Sequence, residues 1–275
     1  MTTLEVWGDP IAHSLSPRLH AAAYAELGWE WTYGRRRVAE AAFANELARA
    51  GSELRGLSLT FPLKNVAFHA AVSRDRSAEL TGAVNTLLLN GAAPRGFNTD
   101  VGGIVADLRE HGVDGVDRAR IVGAGATATS ALVALAELGA AHVEVVARRP
   151  AAAAALVTLG EALGVAVAVR AMDAAGAASI PVTISALPGG AEVRPEDAAA
   201  LAAGGGLLYD VVYGHWPTAL ARAWQDAGGT ARDGLGMLLQ QALRQIRIFH
   251  TGDPAEPLPD EAAVVAVMRR ALMGD

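Results

Sequence analysis

The chain has 275 residues, 52% hydrophobic and 19% charged, with a formal net charge of −6; this excludes a disordered chain and leaves room for one large or two modest cores. The acidic balance argues against a nucleic-acid-binding face, and the absence of cysteine removes disulfides, thiol nucleophiles and cysteine metal sites. No cationic stretch followed by a long apolar run opens the chain, and its longest apolar runs are Ala-rich and broken by Gly, so no membrane association and a cytoplasmic setting are expected.

Leu4 to Trp7 reads as a buried strand, turned by Gly8-Asp9-Pro10. Ser16-Pro17 has the form of an N-cap followed by proline at the first helical position, opening a helix to about Leu27. Trp29, Trp31 and Tyr33 alternate with polar residues as a half-buried strand does. Ala39 to Ala50 is helical in pattern, Leu54 to Thr60 a strand, Pro62 the start of another helix, and Ala83 to Leu89 strand-like. These units predict an α/β domain with a mainly parallel sheet.

A helix over Val101 to Glu110 leads into a second block. There Ala119 to Val122 is a strand, Gly123-Ala-Gly125 a tight turn, Ala126 to Leu138 a helix and Val143 to Val146 the next strand. Helix 151–163 and strands 165–169, 182–186 and 207–212 continue the alternation, and helices over Leu235 to His250 and Asp260 to Met273 close the chain.

Among 23 lysines and arginines there is a single lysine, Lys64. Arginine cannot release its proton at working pH, whereas a partly buried lysine can, so a lone lysine marks a position that arginine does not serve. Gly123-Ala-Gly125-Ala126-Thr127-Ala128 follows a strand and opens a helix, the context in which G-x-G-x-x-G/A lets the backbone approach a pyrophosphate. The following strand ends Ala147-Arg148-Arg149 rather than in an acid, which suits a 2′-phosphate and favours NADP; Glu144 stands too early to be the ribose acid. His13-Ser14-Leu15-Ser16-Pro17 sets two hydroxyls at a helix mouth, where free N–H groups favour an anion. Asn98-Thr99-Asp100 places a carboxylate between the two blocks, and the helix after Asp233-Gly234 presents Gln240 and Gln241. The histidines lack ligand spacing, so no metal is expected, and His13 and His69 read as structural or exposed.

Taken in order, VWGDPIAHSLSPRLH at 6–20, SLTFPLK at 58–64, GAVNTL at 82–87, NTD at 98–100, GAGATA at 123–128, YDVVY at 209–213 and DGLGMLLQQA at 233–242 resemble the shikimate dehydrogenase family nearly end to end. The resemblance implies NADPH-dependent, reversible reduction of 3-dehydroshikimate to shikimate on the route to aromatic amino acids. It also implies a substrate domain over 1–100 completed by helices 239–275, a Rossmann NADP-binding domain over 101–238, an active-site cleft between them, and a monomer or homodimer. By motif, Lys64 and Asp100 would be the catalytic pair. Ser14, Ser16, Thr60 and Tyr213 would hold the substrate carboxylate, and Asn85, Asp100 and Gln241 the ring hydroxyls. Gly123, Gly125, Ala126 and Ala128 would line the pyrophosphate and Arg148 and Arg149 the 2′-phosphate, with Thr127, Gly234 and Met237 also on the cofactor side.

Three positions depart from the family pattern: Ser58 where asparagine is common, Ala147 where many NADP users have asparagine, and Ser185-Ala-Leu-Pro-Gly-Gly190 in place of an Asn-Ala-Thr start. The competing readings are a quinate/shikimate or aminoshikimate dehydrogenase of the same superfamily and, from another class, a non-catalytic dinucleotide or shikimate sensor. The sensor reading expects loss of the lysine or the aspartate, and both are present.

Overall fold

A computed structural model describes residues 2–50, 53–174, 176, 178–214 and 216–274. In chain order the elements run β1 (Thr2–Gly8), α1 (Ser16–Glu26), β2 (Trp31–Arg37), α2 (Phe43–Ala50), β3 (Gly56–Leu59), α3 (Lys64–Ala70), β4 (Ser73–Arg74), α4 (Arg76–Thr81), β5 (Thr86–Leu88), β6 (Arg95–Phe97) and α5 (Thr99–Glu110). They continue as β7 (Arg118–Val122), α6 (Ala126–Glu137), β8 (His142–Ala147), α7 (Ala154–Leu163), β9 (Ala166–Ala171), β10 (Val182–Ser185), α8 (Pro195–Ala202), β11 (Leu207–Asp210), α9 (Ala219–Asp226), β12 (Thr230–Arg232), α10 (Leu235–Thr251) and α11 (Glu261–Met273). The chain divides into two compact units, Met1–Gly103 with Leu238–Asp275, and Ile104–Met237.

The first unit holds a six-stranded sheet in the order β2-β1-β3-β5-β6-β4. Three of its five pairings are parallel, while β3–β5 and β5–β6 are antiparallel. The reversal follows from the short connection between β5 and β6, which can only be a hairpin. Alternation along β3 sets up two faces. Leu57 and Leu59 enter one core with Trp7, Phe43, Leu63 and Ala67. Gly56 and Ser58 meet α10 instead: a Cβ at Gly56 would lie 2.6 Å from the Phe249 ring, so only glycine lets that helix approach. On this side Leu4, Leu19 and Tyr24 share a core with Leu239, Leu243, Phe249, Val264 and Met268, residues more than two hundred positions later.

The second unit has six strands in the order β12-β11-β10-β7-β8-β9, all parallel. This is the order of a doubly wound dinucleotide-binding sheet, whose ligands sit at the carboxyl ends of the strands where the order reverses. Here the reversal lies between β7 and β10, and the glycine turn leaves the carboxyl end of β7.

Several predicted bounds shift. Ser16 is the first helical residue of α1 rather than its cap; the Ser14 hydroxyl accepts the Ser16 N–H at 3.3 Å. Trp29 falls before β2, and the helix expected from Pro62 begins at Lys64. Strands β4, β6 and β12 and helices α4, α8 and α9 are additions to the expected elements. No helix among the described residues is long and apolar enough to cross a membrane.

Candidate active site

Lys64 opens α3 and Asp100 stands in the first turn of α5. The Lys64 Nζ donates to Asp100 Oδ2 at 2.6 Å, and the two side chains are 17% and 7% exposed. The other carboxylate oxygen accepts from Asn85 Nδ2 at 2.8 Å, so Asp100 is gripped at both ends. Its backbone is fixed too: the Asp100 N–H donates to Asn98 Oδ1 at 3.0 Å and the Thr99 N–H to Asn85 Oδ1 at 2.9 Å. The Thr99 hydroxyl reaches Gln241 Oε1 at 3.5 Å, joining α10 to this cluster. An ammonium, a carboxylate that orients it, and carboxamides on two further elements form a constellation able to move a proton at a polar ligand.

Of the residues expected at the carboxylate, Ser14 and Ser16 lie at the mouth of α1 and Thr60 just beyond β3, all in the same unit as Lys64. Ser16 is buried, and the Tyr33 hydroxyl is buried beside Ser16 and Ser58; burial pushes its pKa up. Thr60 packs so closely on Gly8 that a Cβ there would lie 2.4 Å from its methyl carbon. Tyr213 belongs to the second unit, on the segment after β11, with its phenol pKa raised by burial.

In the second unit the turn fits a dinucleotide. Gly123 has φ +120° and a Cβ there would lie 3.1 Å from the Ala186 carbonyl oxygen, a conformation and a space that demand glycine. Gly125 caps the twelve-residue helix α6 with no side-chain bond, and a Cβ on it would meet nothing within 4 Å. The N-terminal N–H groups over Ala126, Thr127 and Ala128 therefore face an open cradle suited to a pyrophosphate. Arg148 and Arg149 are exposed directly after β8, without an ion pair among the described residues. Glu144 is held between Arg120 at 2.5 Å and Arg170 at 2.6 Å, so its carboxylate is committed within the protein. Met237 is buried, and at Gly234 a Cβ would lie 2.1 Å from the Val211 carbonyl oxygen.

The family profile described as "Shikimate dehydrogenase substrate binding domain" matches residues 6–87. A shikimate dehydrogenase (NADP(+)) of Bordetella avium is 37% identical, the match covering 98% of this chain and 96% of the relative. The chain belongs to the shikimate dehydrogenase family. A second such relative, from Nitrosococcus oceani, is 33% identical over 97% of this chain and 95% of its own. Among solved structures, the shikimate dehydrogenase of Mycobacterium tuberculosis superposes with a TM-score of 0.87 at 39% identity, covering 100% of both chains. The enzyme of Thermus thermophilus, solved with NADP(H) and shikimate, gives 0.82 at 30% identity, covering 98% of this chain and 100% of that one.

Within this shikimate dehydrogenase framework the unusual Ser58 is buried and donates to Gln245 Oε1 at 2.8 Å, while Ala147 is buried at the end of β8. Ser185 ends β10 and Ala186 follows it against the glycine turn, with Ala186 over Gly123. Gln245 is a polar member of the cluster outside the motifs, and Thr86 and Thr99 lie inside GAVNTL and NTD without a role drawn from them. A usable signal exists for Gln245, which follows Gln241 by four residues on a helix and so shares its face.

Proposed function

We propose that this chain catalyses the reversible reduction of 3-dehydroshikimate to shikimate, with the unit built on Lys64 taking the substrate and the unit built on Gly123 taking NADP. The observation that carries the reading is the Lys64 ammonium held at 2.6 Å by a carboxylate whose other oxygen is anchored by Asn85. NADPH, when bound, supplies the hydride that becomes the new C–H bond. As that bond forms, the carbonyl π electrons move to oxygen. Lys64 gives this oxygen a proton and recovers one from solvent; in the oxidative direction its neutral amine takes the hydroxyl proton. An arginine could stabilise the charge but could not complete the transfer.

Asp100 orients the amine and offsets its partial desolvation. Asn85, Asp100 and Gln241 address the ring hydroxyls, with both Asn85 N–H donors already shared with Asp100 and Thr99. Ser14, Ser16, Thr60 and Tyr213 hold the substrate carboxylate. Gly123, Gly125, Ala126, Thr127 and Ala128 hold the pyrophosphate, Arg148 and Arg149 the 2′-phosphate, and Gly234 and Met237 complete the cofactor side.

The test is absorbance of reduced nicotinamide with shikimate or quinate, each offered with NADP or NAD. Rapid reduction with shikimate and NADP supports the reading. Preference for quinate or NAD moves the chain to the related dehydrogenases, and no turnover with any pair refutes it.

A further inference from the structure

Behind Asp100 runs a buried polar chain that the catalytic description does not use. Ser58 Oγ donates to Gln245 Oε1 at 2.8 Å; Gln245 Nε2 donates to the Asn85 carbonyl oxygen at 3.3 Å and to Thr86 Oγ1 at 3.1 Å; Thr86 Oγ1 donates to Asn85 Oδ1 at 2.9 Å. Asn85 then passes its Nδ2 to Asp100, which faces Lys64. Ser58, Asn85, Thr86, Asp100 and Gln245 are all buried, so water does not substitute for a lost partner.

The donors in this chain have only one consistent direction. A backbone carbonyl can only accept, so the Asn85 carbonyl turns the amide nitrogen of Gln245 toward itself and toward Thr86. Gln245 Oε1 therefore faces Ser58, whose hydroxyl must donate. Thr86, receiving an N–H from Gln245, gives its own proton to Asn85 Oδ1. That oxygen also accepts the Thr99 N–H, and a flipped Asn85 would set its NH2 against both donors. The side-chain amide is thus locked with nitrogen toward Asp100. The His20 ring also borders Gln245; burial lowers its pKa to about 3, so it adds no charge at neutral pH.

We propose that Gln245 and Thr86 are positioning residues that lock the Asn85 amide and so hold Asp100 in register with Lys64, with Ser58 as the terminal donor of the same relay. The assignment rests on the catalytic role given to Lys64. It makes the serine at position 58 and the glutamine at 245 one functional pair, 187 positions apart in sequence.

The single lysine supplies a readout that does not depend on turnover. With lysine labelled in carbon-13 at Cε, the side-chain signal comes from Lys64 alone, and its pH titration reports the Asp100 contact. Thr86→Val and Gln245→Met keep the volume and remove the bonds. Each is expected to move the Lys64 midpoint and to lower kcat by about 10- to 100-fold, the scale of a misplaced reacting group, with KM for shikimate changed less than about threefold. Thr86→Ser restores the hydroxyl and should return both quantities to within about threefold of wild type. Folded variants with a wild-type Lys64 titration and wild-type kcat overturn the proposal, as does equal loss in Thr86→Val and Thr86→Ser. Should Thr86→Val fail to fold, Gln245→Met decides. Should wild-type protein turn over no substrate, the catalytic reading fails while the lysine titration still decides the relay.

Discussion

Asp75 holds Asn98 by its backbone: Asp75 Oδ1 accepts the Asn98 N–H at 3.2 Å while also accepting the Ala78 N–H at 2.7 Å. One carboxylate oxygen thereby caps α4 and pins the strand-to-helix turn that carries Asn98, Thr99 and Asp100. Replacing it by alanine removes a helix cap and leaves a second N–H unpaired, at a cost of about 1–3 kcal/mol. Urea unfolding of Asp75→Ala should show a lower midpoint, with Asp75→Asn recovering much of the loss; an unchanged midpoint for the alanine variant contradicts the pinning role.

Lys64→Arg preserves the positive charge beside Asp100 and removes the transferable proton. The expected result is a fall in kcat of about 10² to 10⁴, the usual worth of general acid–base catalysis. Turnover near wild type, followed by nicotinamide absorbance, would rule out proton transfer by Lys64.

Arg148 and Arg149 are free of ion pairs among the described residues and follow a strand that ends without an acid. Arg148→Ala with Arg149→Ala should raise KM for NADP by about 10- to 100-fold, the scale of lost charge-assisted hydrogen bonds, and leave KM for NAD nearly unchanged. Equal losses with both cofactors would show that the arginines do not read the 2′-phosphate.

His20 is fully buried and stacked on Tyr33 with ring centroids 3.8 Å apart. Burial lowers its pKa from 6.5 to about 3. Below 6.5 the unfolded chain takes up a proton that the folded chain refuses, so stability complete above that pH declines progressively toward about 3. Between about pH 7.5 and 5.5 the loss from this residue is about 1.4 kcal/mol. Urea midpoints measured across that window should fall in wild type and fall less in His20→Gln; parallel profiles would dismiss His20 as the source.

Sequence patterns serve best where one short-range rule decides the structure. β1, β7 and β8 each carry a short stretch dominated by apolar residues, and the Gly123 turn is fixed by its glycines, so each is legible. The lone lysine was legible by counting, because its exchange for arginine changes the chemistry. The short strands β4, β6 and β12 were not: Ser73–Arg74, Arg95–Phe97 and Thr230–Arg232 are too short and too polar to show a period, and they exist because a neighbouring strand offers its edge. The cap of α1 falls at Leu15, one residue before the expected Ser16, because Ser16-Pro17 satisfies the local rule while the backbone is already helical at Ser16. Gln245 is hidden for a different reason: on its own helix it is one of several polar residues, beside Gln240, Gln241, Arg244 and Arg247, and the partners that give it a task come from β3 and β5.

The first unit is assembled from both ends of the chain, and this orders events during synthesis. Leu4, Leu19 and Tyr24 share their core with residues of α10 and α11, and Arg55 reaches the Phe249 and His250 carbonyls at the end of α10. A nascent chain emerging from the ribosome therefore carries this sheet with one face covered only in part, by α1, until α10 and α11 appear. The contiguous segment Ile104–Met237 is delivered whole in the meantime and can fold first. A ribosome that stalls before α11 would release a polypeptide with a finished central unit and an open leading one, a natural substrate for chaperones and proteases.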